Sequence, residues 1–116
     1  MAKLIGLFHR KHGLSATEFR EYYENHHAPF ASARFGHLFA SYTRNYIDAD
    51  TGIAVVTEIV FPDDTAMREM FAMAERDPAL GEAIATDEAA FMDRDATQIL
   101  LVGDAGVRVS RGSGSS

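Results

Sequence analysis

The segment Ile53–Phe61 constrains the fold most, because both of its alternating rows of side chains are largely apolar. One row is Ile53, Val55, Thr57, Ile59 and Phe61, and the other is Ala54, Val56, Glu58 and Val60. A strand that is apolar on both faces needs cover on both sides of its sheet. The pattern therefore predicts a strand inside a sheet with packing against each face.

A second strand is predicted just before this one, at Leu38–Ile47, and the two are joined by the short connection Asp48–Gly52. A connection of this length between two strands is typical of a β-hairpin, in which glycine supplies a position with positive φ. The pair is therefore expected to be antiparallel.

A helix precedes the hairpin. Ser15 and Glu18 have the spacing of a capping box, which starts a helix. Pro29 disfavours helical geometry at Ala28, so this helix is expected to end near His27.

The remaining elements complete a recognisable order. Strands are predicted at Leu4–Phe8 and Ile99–Val102, and a second helical region begins after Asp63 and restarts at Asp77–Pro78. The order strand, helix, strand, strand, helix, strand predicts an α+β fold, the ferredoxin-like split βαβ with an antiparallel four-stranded sheet.

Two helical regions can cover only one face of such a sheet. The other face would expose more apolar surface than monomers usually do. Because a twofold axis can pair two such faces, the chain is expected to form a homodimer.

Composition narrows the classes of function. The chain has 116 residues, no cysteine and a net charge of −6, without a basic stripe, so nucleic acid is not an expected partner. No segment is long and apolar enough for a membrane span, and a cytoplasmic location is expected. Residues 1–104 are predicted to form one domain, and residues 105–116 a flexible tail, because the ending SRGSGSS cannot bury apolar surface.

Three side chains are candidates for acid–base chemistry. His26 continues the apolar face of the first helix, so His27 is the better functional candidate, although a histidine there can simply cap helix carbonyls. Glu58 lies in an apolar row, where burial would make it an acid or base, but it can also be a rim carboxylate that reaches solvent or pairs with Arg44. Asp87 falls on the inner helical face, yet the local sequence favours it as the N-cap of a restarted helix.

Tyr42 and Asn45 on the second strand can supply hydrogen bonds to a small molecule, although cross-strand packing is the default explanation for such aromatics. Alternation places Tyr42 and Asn45 on opposite faces of the strand. The histidines show no closed ligand set, so no metal is expected, and the absence of a phosphate-binding or dinucleotide-binding glycine motif argues against nucleotide cofactors.

Several blocks of sequence resemble the EthD family over about residues 3 to 103. They are residues 3–8, Arg10-Lys11, residues 13–15, residues 18–20, Tyr22-Tyr23, His27-Ala28-Pro29, residues 42–46, residues 58–61 and residues 87–93. The resemblance implies a dimeric α/β barrel, the fold of cofactor-free monooxygenases, muconolactone isomerases and haem-handling enzymes. It also implies that His27, Glu58 and Asp87 occupy the family's histidine and acidic positions, and that Tyr23 stands where many relatives carry Trp.

These observations and the resemblance suggest two functions. The first is a cofactor-independent lyase, dehydratase or isomerase acting on a small cyclic or aromatic oxygenated compound, with His27 moving a proton and Glu58 or Asp87 as its counterpart. Tyr23, Tyr42, Asn45 and Phe91 would contact the substrate. The second is a non-catalytic accessory or carrier protein that binds a hydrophobic metabolite beside an oxygenase.

Overall fold

The computed structural model describes residues 1–48 and 51–103, and the backbone of residues 106–110. The strands are β1 (Ala2–His9), β2 (Ser41–Tyr46), β3 (Ile53–Phe61), β4 (Gln98–Gly103) and β5 (Gly106–Ser110). The helices are α1 (Ala16–Tyr22), α2 (Ala28–Phe35), α3 (Asp64–Arg76) and α4 (Pro78–Phe91). A π-helical turn, Tyr23–His27, joins α1 to α2, and a short 3₁₀ turn, Gly36–Leu38, follows α2.

The strands form one sheet in the order β2-β3-β1-β4-β5, and every neighbouring pair is antiparallel. The first four strands in that order give the predicted α+β, ferredoxin-like arrangement, which is confirmed. β5 lies within the predicted flexible tail, so residues 106–110 form a strand and not a tail. They pair antiparallel with β4, with Gly106 opposite Gly103 and Ser110 opposite Ile99. Residues 111–116 lie outside the described residues.

The helix starts follow local side-chain chemistry as predicted. The Ser15 hydroxyl accepts from the Glu18 N–H at 3.1 Å, and the Glu18 carboxylate accepts from the Ser15 N–H at 2.9 Å. Asp63 caps α3 and Asp77 caps α4 through their carboxylates, which accept from the Ala66 N–H and the Leu80 N–H. Each cap satisfies a backbone N–H that has no partner inside its helix.

The first helix does not end near His27, contrary to the prediction from Pro29. The chain widens into the π-helical turn, in which the Ala28 N–H donates to the Tyr23 carbonyl. Pro29 then occupies the first turn of α2, where a residue without an N–H is tolerated. The helical path therefore continues to Phe35, and β2 begins at Ser41, later than the predicted Leu38.

The hairpin prediction can be compared at its ends only, because residues 49 and 50 lie outside the described residues. Gly52 has φ 89°, which confirms the predicted positive-φ position. The strands on either side pair antiparallel, from Ser41 opposite Val60 to Tyr46 opposite Val55.

The core lies between the helices and one face of the sheet. Its fully buried side chains come from α1, the π-helical turn, β3 and α4, and include Phe19, Tyr23, Val55, Phe61 and Phe91. The opposite sheet face carries half-buried apolar residues that are not part of this core: Ile5, Leu7, Val56, Val60, Leu100 and Val102. Within the described residues, no helix combines the length and the apolar character needed to cross a membrane.

Candidate functional site

His27 and Asp87 form a hydrogen-bonded pair, called the dyad below, at the junction of the π-helical turn and α4. The His27 Nδ1 lies 2.5 Å from the Asp87 Oδ2, and only 12% and 11% of the two side chains are exposed. A hydrogen bond to a carboxylate that is largely withdrawn from water fixes the orientation of an imidazole ring. The π-helical turn ends at His27 and therefore sets the direction of its side chain.

The N-cap interpretation of Asp87 is wrong. Helix α4 runs without a break from Pro78 to Phe91, and Asp87 lies in its last turns. Its carboxylate points to the first helix, since the Tyr22 hydroxyl donates to Oδ1 at 3.0 Å while Oδ2 holds His27. Both carboxylate oxygens are thus hydrogen-bonded to residues some 60 positions away in sequence.

Tyr22 is a member of this site that the sequence did not reveal as functional. Desolvation, together with the hydrogen bond to Asp87, raises the pKa of Tyr22 to about 12. The phenol therefore stays protonated at neutral pH and donates to the carboxylate throughout. Its aromatic ring stacks on Phe91 at a centroid separation of 5.0 Å, which also holds it in place.

Aromatic rings surround the imidazole of His27. Phe91 lies 4.9 Å from it, Tyr23 4.8 Å in an edge-on arrangement, and Phe8 6.3 Å, measured between ring centroids. Phe8 can lie there because Gly6 has no side chain, and a Cβ at Gly6 would come within 2.5 Å of the Phe8 ring. These rings restrict the imidazole to one pose and exclude water from most of it.

The dyad has the elements of a general base. With Nδ1 engaged by Asp87, the other ring nitrogen, Nε2, has no hydrogen-bond partner among the residues that the structure describes. A carboxylate on one nitrogen favours the tautomer that leaves the other nitrogen able to accept a proton. This arrangement is suited to moving a proton at a substrate atom.

His26 does not continue the apolar face as expected. His26 is exposed, and its ring lies 4.9 Å from that of Tyr22. The wider π-helical turn rotates the two histidines about the helix axis relative to the side chains of α1. This rotation brings His27, not His26, against the core.

Tyr23, proposed as a substrate contact, is fully buried. Its hydroxyl lies 2.6 Å from the Thr57 Oγ1 and 2.9 Å from the Tyr42 hydroxyl. Burial raises the pKa of Tyr23 well above its usual value and raises that of Tyr42 to about 12. The three hydroxyls form a neutral network behind the His27 ring, so Tyr23 positions its neighbours without reaching solvent. Phe91, also predicted to contact substrate, is fully buried as well.

Glu58 and Asn45 are not brought to the dyad. Strand alternation places both on the sheet face opposite the helices. Glu58 is 3.7 Å from the Lys3 ammonium, and 40% of its side chain is exposed. It therefore reaches solvent, as the second interpretation allowed, and its ion pair is with Lys3 and not with Arg44. The Asn45 amide donates to the Val56 carbonyl on the neighbouring strand. Neither residue can act on a substrate held by His27 of the same chain.

Arg44 instead pairs with Glu24, which sequence spacing could not indicate. The guanidinium donates to the two carboxylate oxygens at 2.8 Å and 3.0 Å, and the Tyr46 hydroxyl donates to the same carboxylate. These hydrogen bonds lower the pKa of Glu24 to about 2. The cluster ties the π-helical turn to β2.

This pairing predicts a pH dependence of stability. A carboxyl whose folded-state pKa is depressed stabilises the fold above its unfolded-state pKa of about 4.5, and that contribution is lost as the pH falls towards about 2. The difference in unfolding free energy between wild type and Glu24→Gln should therefore shrink across this window in urea titrations. Glu21→Gln is the matched control, because Glu21 is an exposed neighbour whose carboxylate has no hydrogen bond to the described residues. A pH-independent difference for Glu24→Gln would contradict the assignment.

Two concave surfaces lie near these residues. A shallow groove of about 520 Å³ runs between the first helix and α4, and its walls include Tyr22, Phe30, Thr86 and Asp87. A larger cleft of about 720 Å³ lies between α1 and the β2–β3 hairpin. Of these two, the groove reaches Asp87 of the dyad, although His27 is not among its wall residues. Among the described residues, no group of three or more histidine, aspartate and glutamate side chains is placed to hold a metal ion.

Comparison with known proteins supports the fold and gives the family. The solution structure of a hypothetical protein from Arabidopsis thaliana is similar, with a TM-score of 0.55 and 18% sequence identity, covering 99% of this chain and 90% of that one. No curated protein matches the chain. The sequence model of the EthD domain matches residues 11–95, which include both members of the dyad, and the chain therefore belongs to the EthD family.

Proposed function

We propose that this protein is a cofactor-independent lyase, dehydratase or isomerase that acts on a small cyclic or aromatic oxygenated compound. The observation that carries the proposal is the 2.5 Å hydrogen bond between His27 and Asp87 in a largely buried, aromatic setting. Asp87 orients the imidazole, and Tyr22 holds Asp87. His27 is the group that moves the proton.

Dehydration of a β-hydroxy carbonyl compound illustrates the chemistry. The His27 Nε2 removes the proton on the carbon next to the carbonyl, so that the C–H bond breaks and an enolate forms. The imidazolium then donates that proton to the β-hydroxyl as the C–O bond breaks, giving a C=C bond and water. In an isomerisation, the same proton returns to a different carbon. Both reactions balance without an oxidant or reductant.

The groove beside the dyad is the proposed approach for the substrate. Tyr22 and Phe30 supply aromatic surface, and Thr86 supplies a hydroxyl next to Asp87. Mostly apolar walls with a few convergent polar groups are typical of sites for small organic molecules. Tyr42 contributes through the buried hydroxyl network, whereas Asn45 is not assigned a role because it lies on the other face.

The proposal predicts that His27→Ala loses activity on a panel of cyclic β-hydroxy ketones followed by product absorbance. Removing a general acid–base group lowers kcat by about 10²- to 10⁴-fold. Glu75→Gln is the control and should keep activity near wild type, since Glu75 is exposed on α3 and is not among the wall residues of the groove. Equal rates for wild type and His27→Ala would end the catalytic assignment.

A carrier role is the second candidate, and one observation favours it. The groove reaches Asp87 and Tyr22, but His27 is absent from its walls. An accessory protein that binds a hydrophobic metabolite needs the aromatic groove alone. Ligand binding without turnover, changed only in affinity by His27→Ala, would support this function.

We also propose that two copies pair through the uncovered sheet face. The apolar residues of that face stand in cross-strand register, with Leu7 opposite Val56 and Ile5 opposite Leu100. The Lys3–Glu58 ion pair lies among them. Isologous pairing would remove these side chains from water and form the twofold barrel expected for the family.

Sedimentation equilibrium tests the pairing. Wild type should sediment at twice 12.7 kDa at micromolar concentration. Leu7→Lys places a charge in the paired face and should shift the protein towards the single-chain mass, because an unpaired buried charge is costly. Thr65→Lys, on the exposed side of α3, is the control. A wild-type species of 12.7 kDa alone would contradict the dimer.

A further inference from the structure

The larger cleft is separate from the dyad and has a different chemical character. It lies between α1 and the β2–β3 hairpin, with a volume of about 720 Å³. Its walls include Arg10, Thr17, Arg20, Tyr46, Asp48 and Ile53, and none of Tyr22, His27 and Asp87. Fully buried Phe19 and Tyr23 stand between the cleft and the imidazole. A ligand in the cleft would therefore not touch the dyad.

Two guanidinium groups face this cleft without a bound carboxylate. The guanidinium groups of Arg10 and Arg20 have no hydrogen bond or ion pair with the residues that the structure describes. Glu24, whose carboxylate feels the charge of Arg20, is already held by two hydrogen bonds from Arg44. Arg20 lies over the ring of Tyr46 at 4.6 Å, which orients its N–H groups without using them.

The described residues of the cleft carry an excess of positive charge, whereas the whole chain has a net negative charge. The protein carries a net charge of −6, yet among the described residues the charged groups lining the cleft are two arginines and one carboxylate, Asp48. A concave surface with excess positive charge concentrates the potential and attracts anions. Arginine pairs well with carboxylates because its planar fork can donate two parallel hydrogen bonds.

The remaining walls are apolar and fit an organic body. Phe19, Tyr46, Ile47 and Ile53 contribute ring and aliphatic surface, and the Thr17 hydroxyl adds a polar contact. The volume lies within the range of about 300–1,000 Å³ that is typical of small-molecule sites. We infer that this cleft binds a small amphipathic anion, a carboxylate on an aromatic or alicyclic body, with Arg10 and Arg20 holding the carboxylate.

Benzoate and its neutral counterpart benzamide are suitable probes, titrated into the full chain while backbone amide shifts are recorded by NMR. Benzoate should shift the amides of Thr17, Gly52 and Ile53 and bind about tenfold more tightly than benzamide. Arg10→Gln and Arg20→Gln should each weaken benzoate about tenfold. Arg68→Gln, an exposed arginine of α3 outside the cleft, should leave the affinity unchanged.

Two further variants separate this inference from the proposed function. Asp48→Asn removes the acidic group found among the described residues of the cleft wall and should tighten benzoate, which loss of folding could not imitate. His27→Ala should leave the titration of the cleft amides unchanged. Equal affinity for benzoate and benzamide, or unchanged benzoate affinity in both arginine variants, would overturn the inference.

Discussion

Asp87→Asn is expected to slow proton transfer by about 10³- to 10⁴-fold while leaving the fold intact. A carboxylate only accepts hydrogen bonds, so it holds the proton of neutral His27 on Nδ1 and leaves Nε2 as the base. An asparagine amide can donate to Nδ1 instead, which places the proton on Nε2 and removes the base. The variant therefore loses rate because its His27 ring adopts the wrong tautomer, and not because it binds substrate more weakly.

Nitrogen-15 NMR of the His27 ring checks this directly, because the shifts of the two ring nitrogens identify which one carries the proton. The neutral wild-type ring should be protonated on Nδ1, and the Asp87→Asn ring on Nε2. Tyr22→Phe removes only the hydroxyl bonded to the other carboxylate oxygen, and should keep the wild-type tautomer with a smaller loss of rate, about tenfold. An unchanged tautomer in Asp87→Asn would contradict the role of the carboxylate.

Phe91→Ala is expected to reduce the free energy of unfolding by about 3–5 kcal/mol, the usual cost of truncating a buried phenylalanine. The Phe91 side chain is fully buried and lies 4.9–5.7 Å, between ring centroids, from four other aromatic rings: Phe19, Tyr22, Tyr23 and His27. Its removal would leave a cavity beside the imidazole. The dyad would lose its support together with the core.

Urea unfolding followed by circular dichroism measures this loss. Phe71→Ala is the matched control, because the same truncation is made at a side chain that is 39% exposed. That variant should lose about 1 kcal/mol or less. Similar losses in the two variants would mean that Phe91 is not the packing centre of the site.

Local chemistry was sufficient to predict much of the fold. The Ser15–Glu18 capping box, the caps at Asp63 and Asp77 and the positive φ of Gly52 each depend on neighbouring residues alone. The apolar rows of Ile53–Phe61 likewise gave the strand and its two faces. Such features are visible in sequence because their cause lies within a few positions.

The helical path around Pro29 could not be predicted in this way. Proline usually marks a helix boundary, and the π-helical turn that lets the chain continue depends on how Tyr23 and His27 pack against the sheet. The same turn exposes His26 and buries most of His27. Tertiary packing here overrides the local signal.

Only part of the candidate site could be predicted, because its contacts also depend on tertiary packing. His27 and Asp87 were both identified, but their contact joins residues 60 positions apart, so the choice between Asp87 and Glu58 as the partner needed the structure. Asp87 resembled an N-cap because its sequence neighbours fit that role. The contacts of Tyr22 with Asp87 and of Glu24 with Arg44 leave no trace in local spacing.

Hydrogen–deuterium exchange is the most direct test of His27 as the group that moves a proton. Cyclic hydroxy-ketones are incubated with the protein in D₂O, and deuterium uptake at the carbon next to the carbonyl is followed by proton NMR. Wild type is predicted to accelerate uptake by at least about 100-fold over His27→Ala, in line with general-base catalysis. Equal uptake with the two proteins, or none above the buffer rate with wild type, would contradict the account.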